Sequence, residues 1–316
     1  MADRLMGAAK DRLRNGNLGS APVAIGLVLI AVIFQILNDR FLSAENLVNL
    51  ALQMAANGTI ALGIIMVLLL GEIDLSAGSV SGVAAAVMTI LYVKQHWPIL
   101  LAVLAALVVA ALIGLLHGLM FTKLGMPTFV VTLAGLLGWL GLMLALLGRQ
   151  GTINLPFDHG IAKLSDTWLP IWLSWVLVVA IAGVHLLVAL GTRTRRRAGI
   201  NVTAVRILAL VAASVLAGVG GVLAASRLGA VNQTTGGSDI LLMAIAAAVI
   251  GGTSLFGGRG RAYDALLGIL VVQSIRNGMD LLSVDSSVRY MVTAVVLAAT
   301  VAVDSVARKG APGGLR

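Results

Sequence analysis

Long hydrophobic runs separated by short polar connections dominate this chain. The runs that are apolar enough for membrane helices are 21–37, 57–70, 78–93, 98–121, 128–148, 168–190, 207–226, 240–250, 263–275 and 287–305. A helix needs about 20 apolar residues to cross the hydrocarbon core of a bilayer, so we interpret 57–70 and 240–250 as half-helices or re-entrant segments. The pattern predicts an all-α, polytopic transmembrane helical bundle of about 10 spans, or of 8 or 9 if the short runs do not cross.

The polar stretches outside these runs complete the predicted organisation. Residues 1–20 form a cytoplasmic N-terminal segment, 21–306 a single transmembrane domain, and 307–316 a cytoplasmic tail. After the first run, Ser43 is a good N-cap for a short interfacial helix, because leucines follow it at near-helical spacing.

Composition and charge support a membrane protein. Hydrophobic residues make up 59% of the chain and charged residues 11%, against roughly a quarter charged in soluble domains, and the mean hydropathy is +1.02. Most of the 22 Lys and Arg residues fall in connections that are cytoplasmic if both termini are inside, as expected of a protein in the cell membrane. The net charge of +9 does not indicate nucleic-acid binding, because aromatic residues do not alternate with the basic ones.

The most polar interruption of the hydrophobic pattern lies between the second and third runs. It reads Gly71-Glu-Ile-Asp-Leu-Ser-Ala-Gly78-Ser, with the acids Glu72 and Asp74 next to Ser76. Acidic residues within a membrane are costly and mark substrate or ion pathways. Three interpretations stay open: Asp74 and Ser76 cap a helix that begins near Ser79, they line or gate a substrate pathway, or an acid couples transport to a proton or cation.

A glycine-rich segment follows the run 240–250. It contains Gly251, Gly252, Gly257 and Gly258 and ends at Arg261. It is not a nucleotide-binding loop, because no Lys and hydroxyl residue follow the last glycine as that motif requires. The segment is either a tight break with close helix packing or a functional gate or contact surface.

A basic loop between residues 191 and 206 is the strongest cluster of positive charge. Its candidate residues for contact with a cytoplasmic partner are Arg195, Arg196, Arg197, Gly199, Ile200 and Asn201. The alternative is that these arginines only set the topology and contact anionic lipid. We find no catalytic or metal-binding motif, since the four histidines are isolated in sequence, and we expect no enzyme activity, no metal and no bound cofactor.

Four ordered motifs resemble the ribose/xylose-type permeases of bacterial ABC importers. They are Gly71 to Ser79, Gly125-Met-Pro-Thr-Phe-Val-Val-Thr-Leu, Gly251 to Gly260, and Asn277-Gly with Leu281 and Leu282. The run 238–261 is most similar to the xylose branch. The resemblance implies a type II importer-like permease for a monosaccharide such as xylose or ribose. It also implies partner ATPase subunits, an extracytoplasmic sugar-binding protein and a second copy of the permease.

Alternating access is the mechanism that the resemblance implies, with the loop 191–206 transmitting the motion of the ATPase. A neutral sugar needs hydroxyl, amide and carboxylate partners, and the candidates for the pathway or its gate are Asn57, Glu72, Asp74, Ser76, Thr132 and Asn277. The residues before 201 form a shorter connection than is usual in the family. One rival function is a non-transporting derivative of the permease, because this connection is short. The other is an ion-coupled secondary carrier, which would use Asp74 or Glu72 as its coupling acid.

Overall fold

The computed structural model describes residues 21–156, 202–252 and 262–309. Nine α-helices make up most of these residues: α1 Ala21–Leu37, α2 Ala44–Leu69, α3 Ala77–Thr89, α4 Ile99–Lys123, α5 Thr128–Leu147, α6 Val202–Leu228, α7 Ser238–Ile250, α8 Ala262–Leu281 and α9 Ser286–Lys309. A π-helical stretch, Ile90–Lys94, extends α3, and Gly148–Gln150 forms a 3₁₀ turn after α5. The strands β1 Thr152–Asn154 and β2 Ala230–Asn232 complete the described elements.

Among the described residues, five helices are long and apolar enough to cross a membrane: α2, α3 with its extension, α4, α5 and α6. The predicted helical membrane bundle is confirmed in this coarser form. The run 168–190 lies outside the described residues. Helix α7 has 13 residues, or about 20 Å, which fits the prediction of a short segment at 240–250.

The sequence predicted two separate helical segments between residues 41 and 70, and this prediction was wrong. A single 26-residue helix, α2, replaces the interfacial helix and the half-helix 57–70. Ser43 does cap it, since its hydroxyl accepts a hydrogen bond from the Asn46 amide at 3.2 Å. The hydrophobic run in the sequence starts at residue 57, well after the start of the helix, because the first half of α2 carries the polar residues Asn46, Gln53 and Asn57. Their side chains bond to other amide side chains inside the bundle.

Helix α6 lies at the centre of the bundle and packs against α2, α3 and α4. Glycines allow the close approach. A Cβ atom added to Gly221 would lie 2.7 Å from the carbonyl carbon of Ser81 in α3, and one added to Gly63 of α2 would lie 2.8 Å from the Ala213 carbonyl oxygen. Small residues at such crossings let membrane helices gain van der Waals contact without a hydrophobic driving force.

The two short strands fix which helix ends lie together. Strand β1 follows α5, β2 follows α6, and the two pair antiparallel with Ile153 opposite Val231. The C-terminal ends of α5 and α6 therefore share one end of the bundle. The first turns of these helices share the other end, where Thr128 and Arg206 both contact Glu72.

Helix α4 shows the outward face of the bundle. Leu100, Leu104, Val108 and Leu112 are exposed at intervals of four residues, which places them on one stripe of the helix. The opposite face carries Ala102, Ala106 and Ala110, all fully buried. An apolar stripe of this length on an outer helix is typical of a surface in contact with lipid or with another membrane helix.

Candidate functional site

The connection between α2 and α3 enters the bundle interior. Gly71 has φ +83°, a left-handed conformation that favours glycine, and it turns the chain at the end of α2. Asp74 and Ser76 are completely buried, whereas the Glu72 side chain is 21% exposed. Three of the predicted pathway residues therefore lie in one short segment, 71–76, at different depths.

One oxygen of the Asp74 carboxylate is bonded and the other has no partner. Asp74 Oδ1 accepts hydrogen bonds from the Ser76 amide at 2.8 Å and from the Ser76 hydroxyl at 2.6 Å. Oδ2 is buried and has no hydrogen-bond partner within the part of the chain that the structure describes. Buried polar atoms are almost always paired because an unpaired one is costly, so this oxygen is a candidate acceptor for a ligand.

A chain of hydrogen bonds orients Ser76. The Trp139 indole donates to His117 Nε2 at 2.9 Å, and because an indole can only donate, Nε2 must be unprotonated. The proton of a neutral His117 then lies on Nδ1, which is 3.4 Å from the Ser76 hydroxyl oxygen. The Ser76 hydroxyl oxygen thus faces a donor on His117, and its hydrogen is free to bond to Asp74 Oδ1.

Replacement of Trp139 by Phe tests this chain of hydrogen bonds. Trp139→Phe keeps an aromatic ring but removes the donor to His117 Nε2 that the described residues provide, so the imidazole can change tautomer and release Ser76. On the transport function that the sequence motifs imply, we expect uptake to fall about tenfold, the effect of losing roughly one hydrogen bond of 1–1.5 kcal/mol. The measurement is uptake per amount of protein in the membrane.

The matched control for that substitution is Trp97→Phe, because Trp97 is 44% exposed. We expect Trp97→Phe to transport at the wild-type rate. Equal losses in the two variants would indicate a general effect of removing an indole and would contradict a specific role for the contact with His117.

Helix α5 holds the other side of the segment 71–76. The Thr128 hydroxyl donates to Glu72 Oε2 at 2.6 Å. The Thr132 hydroxyl, one turn later and fully buried, lies 3.1 Å from the Ile73 carbonyl oxygen and 2.9 Å from that of Thr128. Thr132 therefore contacts the backbone of the segment through Ile73, and its role in the pathway stays a prediction.

The capping hypothesis explains only part of this geometry. Helix α3 begins at Ala77 rather than near Ser79, and Ser76 is its N-cap residue but makes no side-chain cap hydrogen bond. Asp74 bonds to the amide of Ser76 itself, which precedes the helix. Both side chains stabilise the turn before α3 through Asp74 Oδ1. The other carboxylate oxygen, Oδ2, takes no part in that turn.

The first turn of α3 contacts the residues that precede α7. A Cβ atom added to Gly78 would lie 2.8 Å from the carbonyl oxygen of Gly236 and 3.1 Å from that of Gly237. Gly236 has φ +74°, and a Cβ atom added to it would overlap the backbone of Gly78 and Gly82 in α3. Glycine at 78 and 236 therefore lets two backbone segments meet inside the bundle.

Asn57 and Asn277 belong to a different set of contacts, between α2 and α8. Asn277 and Asn46 exchange two hydrogen bonds of 2.8 and 3.0 Å. Asn57 donates to Gln273 at 3.1 Å, and Gln273 donates to Gln53. These amides satisfy one another, so the two asparagines do not join Glu72, Asp74, Ser76 and Thr132 in one cluster.

The other predicted site residues fall partly outside the described residues. Gly251 ends α7, where its amide bonds to the Ala247 carbonyl, and Gly252 has φ +79°, so the chain turns directly after the helix. Gly257 and Gly258 are not described, nor are Arg195, Arg196, Arg197, Gly199, Ile200 and Asn201. Within the described ranges, no group of three His, Cys, Asp or Glu side chains could hold a metal ion.

Comparison with known proteins gives relatives over nearly the whole chain. The ribose import permease protein of Bacillus subtilis (strain 168) is 33% identical over 294 residues, covering 89% of this chain and 91% of the relative. The corresponding protein of Escherichia coli (strain K12) is 32% identical over 88% of this chain and 91% of its own length. The xylose transport system permease protein of the same strain is 26% identical, and the alignment covers 94% of both chains.

These relatives confirm the resemblance to ribose/xylose-type permeases. Relatives from the ribose branch and from the xylose branch both align with the chain. Of these three relatives the ribose permeases have the higher identity, although the run 238–261 was most similar to the xylose branch. No solved structure matches the chain significantly. The family described as the permease component of the branched-chain amino acid transport system matches residues 46–301, and this chain belongs to that family of membrane permeases.

Proposed function

We propose that this chain is the permease subunit of an ATP-driven importer that carries a monosaccharide, with the pentoses ribose and xylose as the first substrates to test. The observation that carries the proposal is the alignment to a ribose import permease at 33% identity over 91% of that protein. A permease subunit performs no covalent chemistry, and ATP hydrolysis belongs to a partner subunit. The chain would therefore bind no cofactor of its own.

Asp74 is the residue most suited to contact the sugar. Its Oδ2 atom is buried and unpaired, and a carboxylate oxygen is a strong acceptor for a sugar hydroxyl. The Ser76 hydroxyl already bonds to the other oxygen of the Asp74 carboxylate and would hold it in place for the sugar. Glu72 and Thr132 would position the segment and open or close it during alternating access.

The proposal includes an orientation of the chain in which the two ends of the bundle face opposite sides of the membrane. The loop that contains residues 195–197 and 199–201 precedes α6, and we assign it to contact with the ATPase. The end that contains Glu72 and Arg206 is then cytoplasmic, and the end that contains β1 and β2 faces the extracytoplasmic binding protein. Both termini are cytoplasmic in this arrangement, and a second copy of the permease would complete the translocation unit in the membrane.

The rival functions are less consistent with these observations. An ion-coupled carrier would use Asp74 or Glu72 as its coupling acid, whereas the relatives over nearly the whole chain are permease components of ribose and xylose transport systems. A non-transporting derivative would have lost a part of the permease, whereas this chain covers 91% of the ribose permeases it matches. Neither rival is favoured by the relatives.

Sugar uptake into proteoliposomes tests the proposal directly. The permease is reconstituted with its cognate ATPase and binding protein, and labelled ribose or xylose is offered on the side of the binding protein. We expect accumulation that depends on ATP and on all three components. Accumulation driven by a proton or sodium gradient without the ATPase would instead establish a secondary carrier.

A further inference from the structure

Arg206 occupies a position between the basic loop and the bundle interior. It lies in the second turn of α6, only a few residues after Asn201. Its guanidinium lies 4.9 Å from the centre of the Phe121 ring in α4, a distance at which a cation and an aromatic face attract each other. Phe121 in turn packs against a buried cluster of Val67, Leu210 and Ala213. The arginine side chain is therefore held against the bundle rather than free in water.

Glu72 joins Arg206 to the segment that carries Asp74. Its Oε1 atom is 3.7 Å from Arg206 Nη2, and its Oε2 atom accepts the hydrogen bond from Thr128. The carboxylate thus connects the second turn of α6 with the first turn of α5. Asp74 is two residues further along the chain, and the carbonyl oxygen of the intervening Ile73 is within reach of the Thr132 hydroxyl.

The segment 71–76 is also joined to the end of α2 and packs against the core through Ile73 and Leu75. The backbone turns at Gly71, which has φ +83°, and the Glu72 amide bonds to the Val67 carbonyl at the end of α2. A displacement of the start of α6 relative to α5 must either break the contact with Glu72 or move Glu72 with it. Movement of Glu72 changes the position of Asp74 and of the Ser76 hydroxyl bonded to it.

The ion pair is poorly suited to a purely structural role. The two side chains are 44% and 21% exposed, and ion pairs with this much exposure contribute little to stability. A contact of this kind can break and form again during a transport cycle without unfolding the helices around it.

We infer that the Glu72–Arg206 ion pair transmits movement of the start of α6 to the segment that holds Asp74. This inference rests on the proposed function, because it assumes that α6 moves during an ATP-driven transport cycle. It adds two positioning residues that act through Asp74: Arg206, which the sequence placed only at the end of the basic loop, and Glu72 in a defined role.

Two measurements test this connection. In the first, Glu72→Gln, Arg206→Gln, the double variant and the exchanged pair Glu72→Arg/Arg206→Glu are reconstituted with the ATPase and the binding protein. We expect each single variant to lower the number of sugars carried per ATP hydrolysed about fivefold or more, the size of a typical coupling between sites. The double variant should be no worse than either single one, and the exchanged pair should recover part of the loss.

The matched control is the Asp280–Arg289 ion pair, which joins the C-terminal end of α8 to the first turn of α9. Its side chains are also partly exposed, Asp280 by 36% and Arg289 by 32%. Asp280→Asn should leave the ratio of sugar to ATP unchanged. Equal loss in this control, or additive losses in the Glu72 and Arg206 variants with no recovery on exchange, would overturn the connection.

The second measurement does not require transport. The chain has no cysteine, so a single Cys introduced at Leu75 reports on the segment 71–76 alone. We expect a membrane-permeant maleimide to label this Cys several-fold faster when Arg206→Gln is also present. Unchanged labelling would overturn the connection even if the permease carries no sugar, whereas faster labelling without any uptake would mean that the proposed function is wrong and the contact real.

Discussion

Asp74→Asn is expected to lower sugar uptake about 10- to 100-fold while the protein still reaches the membrane at the wild-type level. The amide places an NH₂ group or a neutral oxygen where the free carboxylate oxygen lies, and hydrogen bonds to a charged group contribute about 1.5–3 kcal/mol. Expression should survive because the substitution keeps the volume and removes a buried charge. The measurements are initial uptake rates and the amount of protein in isolated membranes.

Glu45→Gln is the matched control for Asp74→Asn, since Glu45 is an exposed acid in the first turn of α2. It should leave both uptake and expression unchanged. If Asp74→Asn instead lowers the amount of protein in the membrane and the remaining protein transports normally, Asp74 only stabilises the turn before α3, and its role in the pathway is excluded.

Gly221→Ala is expected to prevent correct assembly of the bundle. The added methyl group would overlap the Ser81 carbonyl oxygen and lie 2.7 Å from its carbonyl carbon, both backbone atoms of α3 that cannot move aside without shifting the helix. Inserting extra volume into a tightly packed site typically costs 1–3 kcal/mol, and more where the neighbour is backbone. We expect severalfold less protein in the membrane and a lower unfolding temperature in detergent.

Gly138→Ala provides the comparison for that variant, because no heavy atom lies within 4 Å of a Cβ atom added at Gly138 in α5. Alanine is a better helix former than glycine by about 1 kcal/mol, so Gly138→Ala should be neutral or slightly stabilising. Similar destabilisation by both substitutions would contradict close contact between α6 and α3 as the cause.

The sequence was informative wherever a membrane environment leaves few choices. Asp74 could be singled out because an acid within an apolar stretch is rare, and its burial follows from the same reasoning. Ser43 could be identified as a cap because the capping interaction is local. The spans of α4 and α5 were evident since helices that face lipid are apolar on most of their surface.

Contacts between distant parts of the chain could not be predicted in the same way. Nothing in the sequence links His117 to Trp139 or Ser76, because the contact depends on how α4 and α5 cross the segment before α3. Arg206 follows a run of other arginines, so its contact with Glu72 had no separate signal. Asn57 and Asn277 stay predictions as pathway residues, and no pattern in the sequence indicated their hydrogen-bond partners, Gln273 on α8 and Asn46 on α2.

The amides shared by α2 and α8 also have a consequence for how the protein is made. Asn46 and Asn277 are 231 positions apart, so at 5–20 residues per second the ribosome completes α8 roughly 10 to 50 seconds after α2. During that interval Asn46, Gln53 and Asn57 lack the partners that satisfy them in the finished protein. Helix α2 is thus a late-maturing element, and its release from the translocon or its capture by a membrane chaperone should depend on the arrival of α8.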